Sequence, residues 1–181
     1  MIVGVGLAAA VAYVWWPPRP RWSAATASWL VGCAVLALAL SPIVDEPAHG
    51  SFAVHMGQHL LVIFVAAPLL ALGQPLRRWL AATPVRHRTP RTGAYVAAST
   101  AGLVGVLYLT HLPPFYDAAL TDARLHALEH GAYLVVGLAF WMTVAQVDPM
   151  PGRAGHGHRI AALLVLMPCM GCLLYTSPSP R

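Results

Sequence analysis

Two pentapeptides carry side chains able to do chemistry inside otherwise apolar sequence: His55-Met56-Gly57-Gln58-His59 and His126-Ala127-Leu128-Glu129-His130. Residues four apart share a helix face. At about 100° per residue, His130 lies about 40° to one side of His126 and Glu129 about 60° to the other. Each pentapeptide therefore presents a stripe of imidazoles, and the second adds a carboxylate. Ionisable groups within membrane-length apolar runs are costly and seldom lack a use. Imidazole suits zinc, copper, iron and nickel, and a thioether beside it tilts the preference toward copper. Met56 is such a thioether, although its position about 100° round from His55 also leaves it open to lipid. Glu129 has three readings: a ligand, a partner that fixes an imidazole tautomer, or a proton acceptor. His126-x-x-Glu129-His130 also matches the inverted zinc-protease pattern. That reading fails on the echo, because Gln58 cannot act as a base and the second His pair would have no role.

The elements that must position these residues are membrane spans. The chain is 58% hydrophobic and 9% charged, with a mean hydropathy of +0.64. A soluble domain carries about 25% charged residues, so the expected class is an all-α, polytopic integral membrane bundle. Six spans are expected, at about 2–16, 22–41, 52–72, 93–109, 124–145 and 160–174, forming a single domain over 1–174. Ile43–Ser51 and His111–Asp117 read as loops, and Pro68 should kink the third span. The N-terminus has neither a basic stretch nor a small-residue cleavage site, so no removable signal peptide is expected.

Charge then sets orientation. Nine of the eleven Arg residues fall in three alternate segments: Arg19/Arg21, the loop Gly73–Thr92 and the loop Gln146–Arg159. The positive-inside rule places these in the cytoplasm and the N-terminus outside. The net charge of +5 thus needs no nucleic-acid partner; the partner implied is the bilayer. Both His pairs then lie near the outer ends of the third and fifth spans. His49 and His111, in or beside outer loops, join Met56 as accessory ligands to a site of His55, His59, His126, His130 and Glu129.

Haem is the rival cofactor to copper. Bis-His haem needs one His from each of two helices, and Gly57, Gly131 and Gly137 could make room for it. A transporter using the His/Glu stripe as an ion path is a third class. Cys169-Met170-Gly171-Cys172 is tempting as a copper or redox motif but is set aside. The stretch 173–181 breaks abruptly from the preceding Ala/Val/Leu composition and reads as a non-native or disordered tail. Three Cys do not make a disulfide framework, and Cys33 reads as a packing residue. His156 and His158 sit in a Gly-rich inner loop, on the wrong side for the cluster.

Two blocks of sequence carry a family resemblance. The first is His55-Met56-Gly57-Gln58-His59-Leu60-Leu61, followed by Ala67-Pro68-Leu69-Leu70 and Leu72-Gly73-Gln74-Pro75. The second is His111-Leu112-Pro113-Pro114-Phe115-Tyr116, followed by Leu125-His126-Ala127-Leu128-Glu129-His130 and Phe140-Trp141. Together they resemble the polytopic CtaG family of assembly factors for caa3-type cytochrome c oxidase. The resemblance implies a multi-pass protein of the bacterial plasma membrane. It also implies a copper-handling role and oxidase subunits as partners. Ligand exchange needs no bond-making chemistry, so no enzymatic role is expected. Family members continue through further helices, so the chain reads as C-terminally truncated.

Overall fold

A computed structural model of the chain describes residues 11, 23–74, 92–147 and 154–176. Among them are seven helices and no strand: α1 (Ala24–Ala39), α2 (Pro42–Gly50), α3 (Phe52–Leu72), α4 (Thr92–Thr110), α5 (Pro113–Thr121), α6 (Ala123–Ala145) and α7 (His156–Thr176). Three are long and apolar enough to cross a membrane: Phe52–Leu72, Gly93–Thr110 and Ala123–Ala145. The pair α1 and α2, bent by 44°, qualifies together as a fourth. The described residues therefore account for three or four of the six expected spans. The expected span at 2–16, most of the basic loop (75–91), residues 148–153 and the end of the tail (177–181) lie outside the described residues.

Local chemistry explains the helix boundaries. Ser23 caps α1 by accepting the Thr26 N–H at 3.3 Å. Asp122 caps α6, its Oδ1 accepting from the N–H groups of Arg124 and Leu125 at 2.8 and 3.4 Å. Such caps satisfy donors that the first helical turn leaves open. Two segments expected as loops are helical instead. Ile43–Ser51 falls largely in α2, and the second half of His111–Asp117 opens α5. In both, a proline stands in the first turn, at Pro42 and Pro113. There its missing N–H costs nothing and its fixed φ favours helix.

Pro68 does not break α3. The helix instead widens to a π segment over Val62–Ala66, in which the Ala67 N–H bonds the Val62 carbonyl five residues back. In that register the next carbonyl, Ile63, faces the Pro68 nitrogen, which has no hydrogen. The Trp141 indole N–H of α6 donates to the Ile63 carbonyl at 2.8 Å. The bond lost to proline is thus replaced from a neighbouring helix.

The main core lies between α3, α4 and α6. Ile63, Leu103, Leu107, Tyr133 and Phe140 are fully buried there. α3 and α6 run parallel, with His55 beside His126, His59 beside His130, and Ala67 against Gly137. α4 runs antiparallel to both, pairing Ser99 with Thr143 and Thr110 with Tyr133. α1 packs on the far half of α3, where Trp29 and Cys33 bury against Leu70. The packing role expected of Cys33 is the one observed.

That contact depends on Gly32. A Cβ at this position would meet the Leu70 backbone nitrogen at 3.0 Å and the Leu69 Cβ at 3.1 Å. Overpacking of this kind costs about 1–3 kcal/mol. Gly32→Ala is expected to lower the thermal unfolding temperature in detergent. Gly102→Ala, where nothing lies within 4 Å of the added carbon, should leave it unchanged or raise it.

Candidate metal centre

All eight side chains singled out from the sequence gather at one end of the bundle. α3 supplies His55, Met56 and His59, each 2% exposed or less. α6 supplies His126, Glu129 and His130, all buried. His111 follows α4, and His49 ends α2.

The centre of the cluster is His55, His59 and Glu129. One potential ligand atom from each lies within 4.8 Å of the others, and all three residues are buried. The two imidazoles meet Nε2 to Nε2 at 2.8 Å. Glu129 Oε1 lies 3.7 Å from His59 Nε2. On the other side of the carboxylate, Oε2 lies 3.7 Å from His126 Nδ1. The Tyr133 hydroxyl donates to Glu129 Oε1 at 3.1 Å and also bonds the Thr110 hydroxyl.

His130 is set up differently. Its Nδ1 lies 3.1 Å from the His126 carbonyl, which can only accept, so Nδ1 carries the hydrogen. Nε2 then presents a bare lone pair. It is buried and has no hydrogen-bond partner among the described residues. This is the tautomer and orientation that a metal-ligating histidine usually takes. Its ring centre is 5.1 Å from that of His59. Other buried atoms without a hydrogen-bond partner among the described residues include Nδ1 of His55, His59 and His126, and Glu129 Oε2. Buried polar groups are ordinarily paired, and the exceptions here are concentrated at one place.

Met56 faces the site rather than lipid. Its sulfur lies 3.0 Å from His111 Nε2. His111 Nδ1 is 2.8 Å from the Leu107 carbonyl and so holds the ring hydrogen. A nitrogen lone pair therefore points at a thioether sulfur, and neither can donate.

The rim is formed by α2 and α5. Tyr116 sets its ring edge-on to His55, with centroids 5.7 Å apart, and stacks beside His111. Burial, then the negative charges of Glu129 and Asp117, push its phenol above the ordinary value, so it stands as a neutral hydroxyl. Asp45 of α2 reaches His126 Nε2 at 3.3 Å and accepts from Gln58 Nε2 at 3.1 Å. The same Gln58 amide donates to the Ala39 carbonyl at 2.8 Å. Gln58 is thus a strut that holds α2 over the site.

Three participants escape a reading of the sequence alone. Tyr133 had a signal, since it stands four residues after Glu129 on the same stripe. Asp45 and Gln58 had none, because their meeting depends on the bend between α1 and α2. The glycines considered for haem do not open space beside the rings. Gly57 and Gly131 face outward with nothing within 4 Å, and Gly137 packs on Ala67. His158 lies against Gly93, at the other end of α4 from His111 and roughly 25 Å away by helix rise. His156 and His158 therefore stand apart from the cluster. Neither three-donor group of the described residues includes Cys169 or Cys172.

Comparison with known proteins gives one family. The family model described as cytochrome c oxidase caa3 assembly factor matches residues 7–180. An uncharacterized protein of Mycobacterium leprae is 29% identical over 158 residues, covering 78% of this chain and 24% of its own length. Uncharacterized proteins of Mycobacterium bovis and Mycobacterium tuberculosis are each 26% identical over the same extent. The chain thus spans about a quarter of the length of these curated relatives. No solved structure matches it.

Proposed function

The chain belongs to the cytochrome c oxidase caa3 assembly factor family, and we propose that it binds copper at the His55/His59/Glu129 cluster and passes it to an oxidase subunit. The observation that carries this reading is the convergence of three buried donors from parallel helices, beside buried nitrogen and oxygen atoms that have no hydrogen-bond partner among the described residues. His130 Nε2 supplies a fourth imidazole donor beside them. Copper is favoured over zinc by the facing pair of Met56 Sδ and His111 Nε2, since a thioether beside imidazole tilts the preference toward copper.

Copper here is cargo, and its movement is ligand exchange. His130 is held ready by the His126 carbonyl, and His111 by the Leu107 carbonyl. Glu129 balances the charge of the ion, and Tyr133 keeps the carboxylate aimed at the site. No bond-making chemistry on a substrate is required, so the protein acts as a chaperone rather than an enzyme. By the charge of its loops, the cluster faces the outside of a bacterial plasma membrane, where a docked oxidase subunit would receive the ion.

Elemental analysis of the purified, detergent-solubilised chain tests this. The expected result is copper bound after incubation with the ion and gel filtration, with no Soret absorbance. Haem absorbance in place of copper would overturn it.

A further inference from the structure

A second group of donors lies on the rim, outside the buried cluster. Asp45, His49 and His126 each offer a ligand atom within 4.8 Å of the others. His49 is exposed, Asp45 is half-buried and His126 is buried, so the group opens outward. His49 Nδ1 lies 2.7 Å from the Asp45 backbone carbonyl and therefore holds its ring hydrogen. Its Nε2 is left as a bare lone pair, the same preparation seen at His130. The rings of His49 and His126 are 5.3 Å apart.

His126, a member of the outer group, stands next to the buried one. Its Nε2 faces Asp45 at 3.3 Å, and its Nδ1 faces Glu129 at 3.7 Å. A neutral imidazole has one ring hydrogen and cannot serve two carboxylates at once. The residue stands between an outward and a buried three-donor set, with one nitrogen turned to each.

We propose that Asp45, His49 and His126 form an outward-facing metal-binding station that loads the buried cluster, with His126 placed between the two. This rests on the copper reading above and extends it to a route. Two imidazoles and a carboxylate form a borderline-hard set suited to a divalent ion arriving hydrated from solvent. The buried set beyond it is richer in imidazole and adjoins a thioether. An ion moving inward would exchange Asp45, His49 and the outward Nε2 of His126 for Glu129 and the His55/His59 pair. The imidazole rings of His55 and His126, 5.4 Å apart, bound the step.

The test is equilibrium dialysis of the purified full chain against copper(II) alone, read by elemental analysis. Wild type is expected to hold about two ions per chain, one at each station. His49→Ala, at an exposed position, should lose the weaker ion and keep the tighter. Asp45→Asn keeps an acceptor for Gln58 and should weaken the outer ion by about 10- to 100-fold. His59→Ala should do the reverse, losing the tighter ion and keeping the outer one. Stoichiometry unchanged in both His49→Ala and Asp45→Asn would overturn the outer station. If one ion then remained and vanished in His59→Ala, the buried copper site would still stand. If a single ion vanished in His49→Ala but survived in His59→Ala, the outer station would stand and the buried reading would fall. An unloaded wild type would remove both.

Discussion

Alanine at His59 is expected to weaken copper binding in the buried cluster by about 100-fold or more. Residues that merely support a metal ligand cost about 10- to 100-fold when replaced, and His59 touches every other member of the group. It is fully buried, lies 2.8 Å from His55 and 3.7 Å from Glu129, and sets its ring tilted against His130 and edge-on to Tyr133. Its removal also leaves His55 Nε2 without its partner, which costs about 1–3 kcal/mol in a buried site. The variant should therefore be less stable as well as metal-poor. Glu129→Gln separates the two effects, because it keeps the shape and the Tyr133 bond while removing the charge. His156→Ala, at the exposed start of α7, is the control and should match wild type in both. Competition with a copper chelator measures the affinities. Equal affinity in His59→Ala and wild type would rule out His59 as a ligand.

The second large effect is expected far from any ligand. Trp141→Phe keeps an aromatic ring against Phe64 and Phe140 but removes the N–H that bonds the Ile63 carbonyl. In the wild-type register that carbonyl has no backbone donor, because the nitrogen it faces belongs to Pro68. An unsatisfied buried carbonyl costs about 1–3 kcal/mol. Pro68→Ala restores a backbone hydrogen at the right place. The loss caused by Trp141→Phe should therefore shrink by more than half in the Pro68→Ala background. A double-mutant cycle on unfolding free energy in detergent measures this coupling. Additive single effects would show that the indole and the proline are independent.

The helices and the paired histidines were legible because both follow from period and composition. A four-residue spacing fixes a shared face whatever the fold, and long apolar runs separated by Arg-rich loops define spans. Met56 was legible as a candidate ligand, but the direction it faces was not. α3 is apolar around most of its circumference, so nothing in its sequence says which direction faces the partner helix. The proline at 68 was legible as a disturbance but not in its outcome. The freed carbonyl is met by a π turn and by an indole 78 residues away, neither of which the sequence around Pro68 announces. Asp45 was read as part of an acidic loop. Its role comes from a helix that begins at Pro42 and is tied down by Gln58, a contact between segments with no common periodicity.

The π segment acts as a phase setter for the upper half of its helix. A π turn is an α-helix carrying one surplus residue, and here the surplus lies between His59 and Pro68. Regular winding across Val62–Ala66 would swing His55 and His59 about 100° around the helix axis. The lower half would stay locked to α1 and α6 through Leu70 and Ala67. Both imidazoles would then turn away from Glu129 and His130 without any change in their own identity. Insertions and deletions in this plain apolar stretch therefore bear on the site more heavily than substitutions do. The spacing between the histidines and the proline, counted in residues, is as much a part of the site as the histidines themselves.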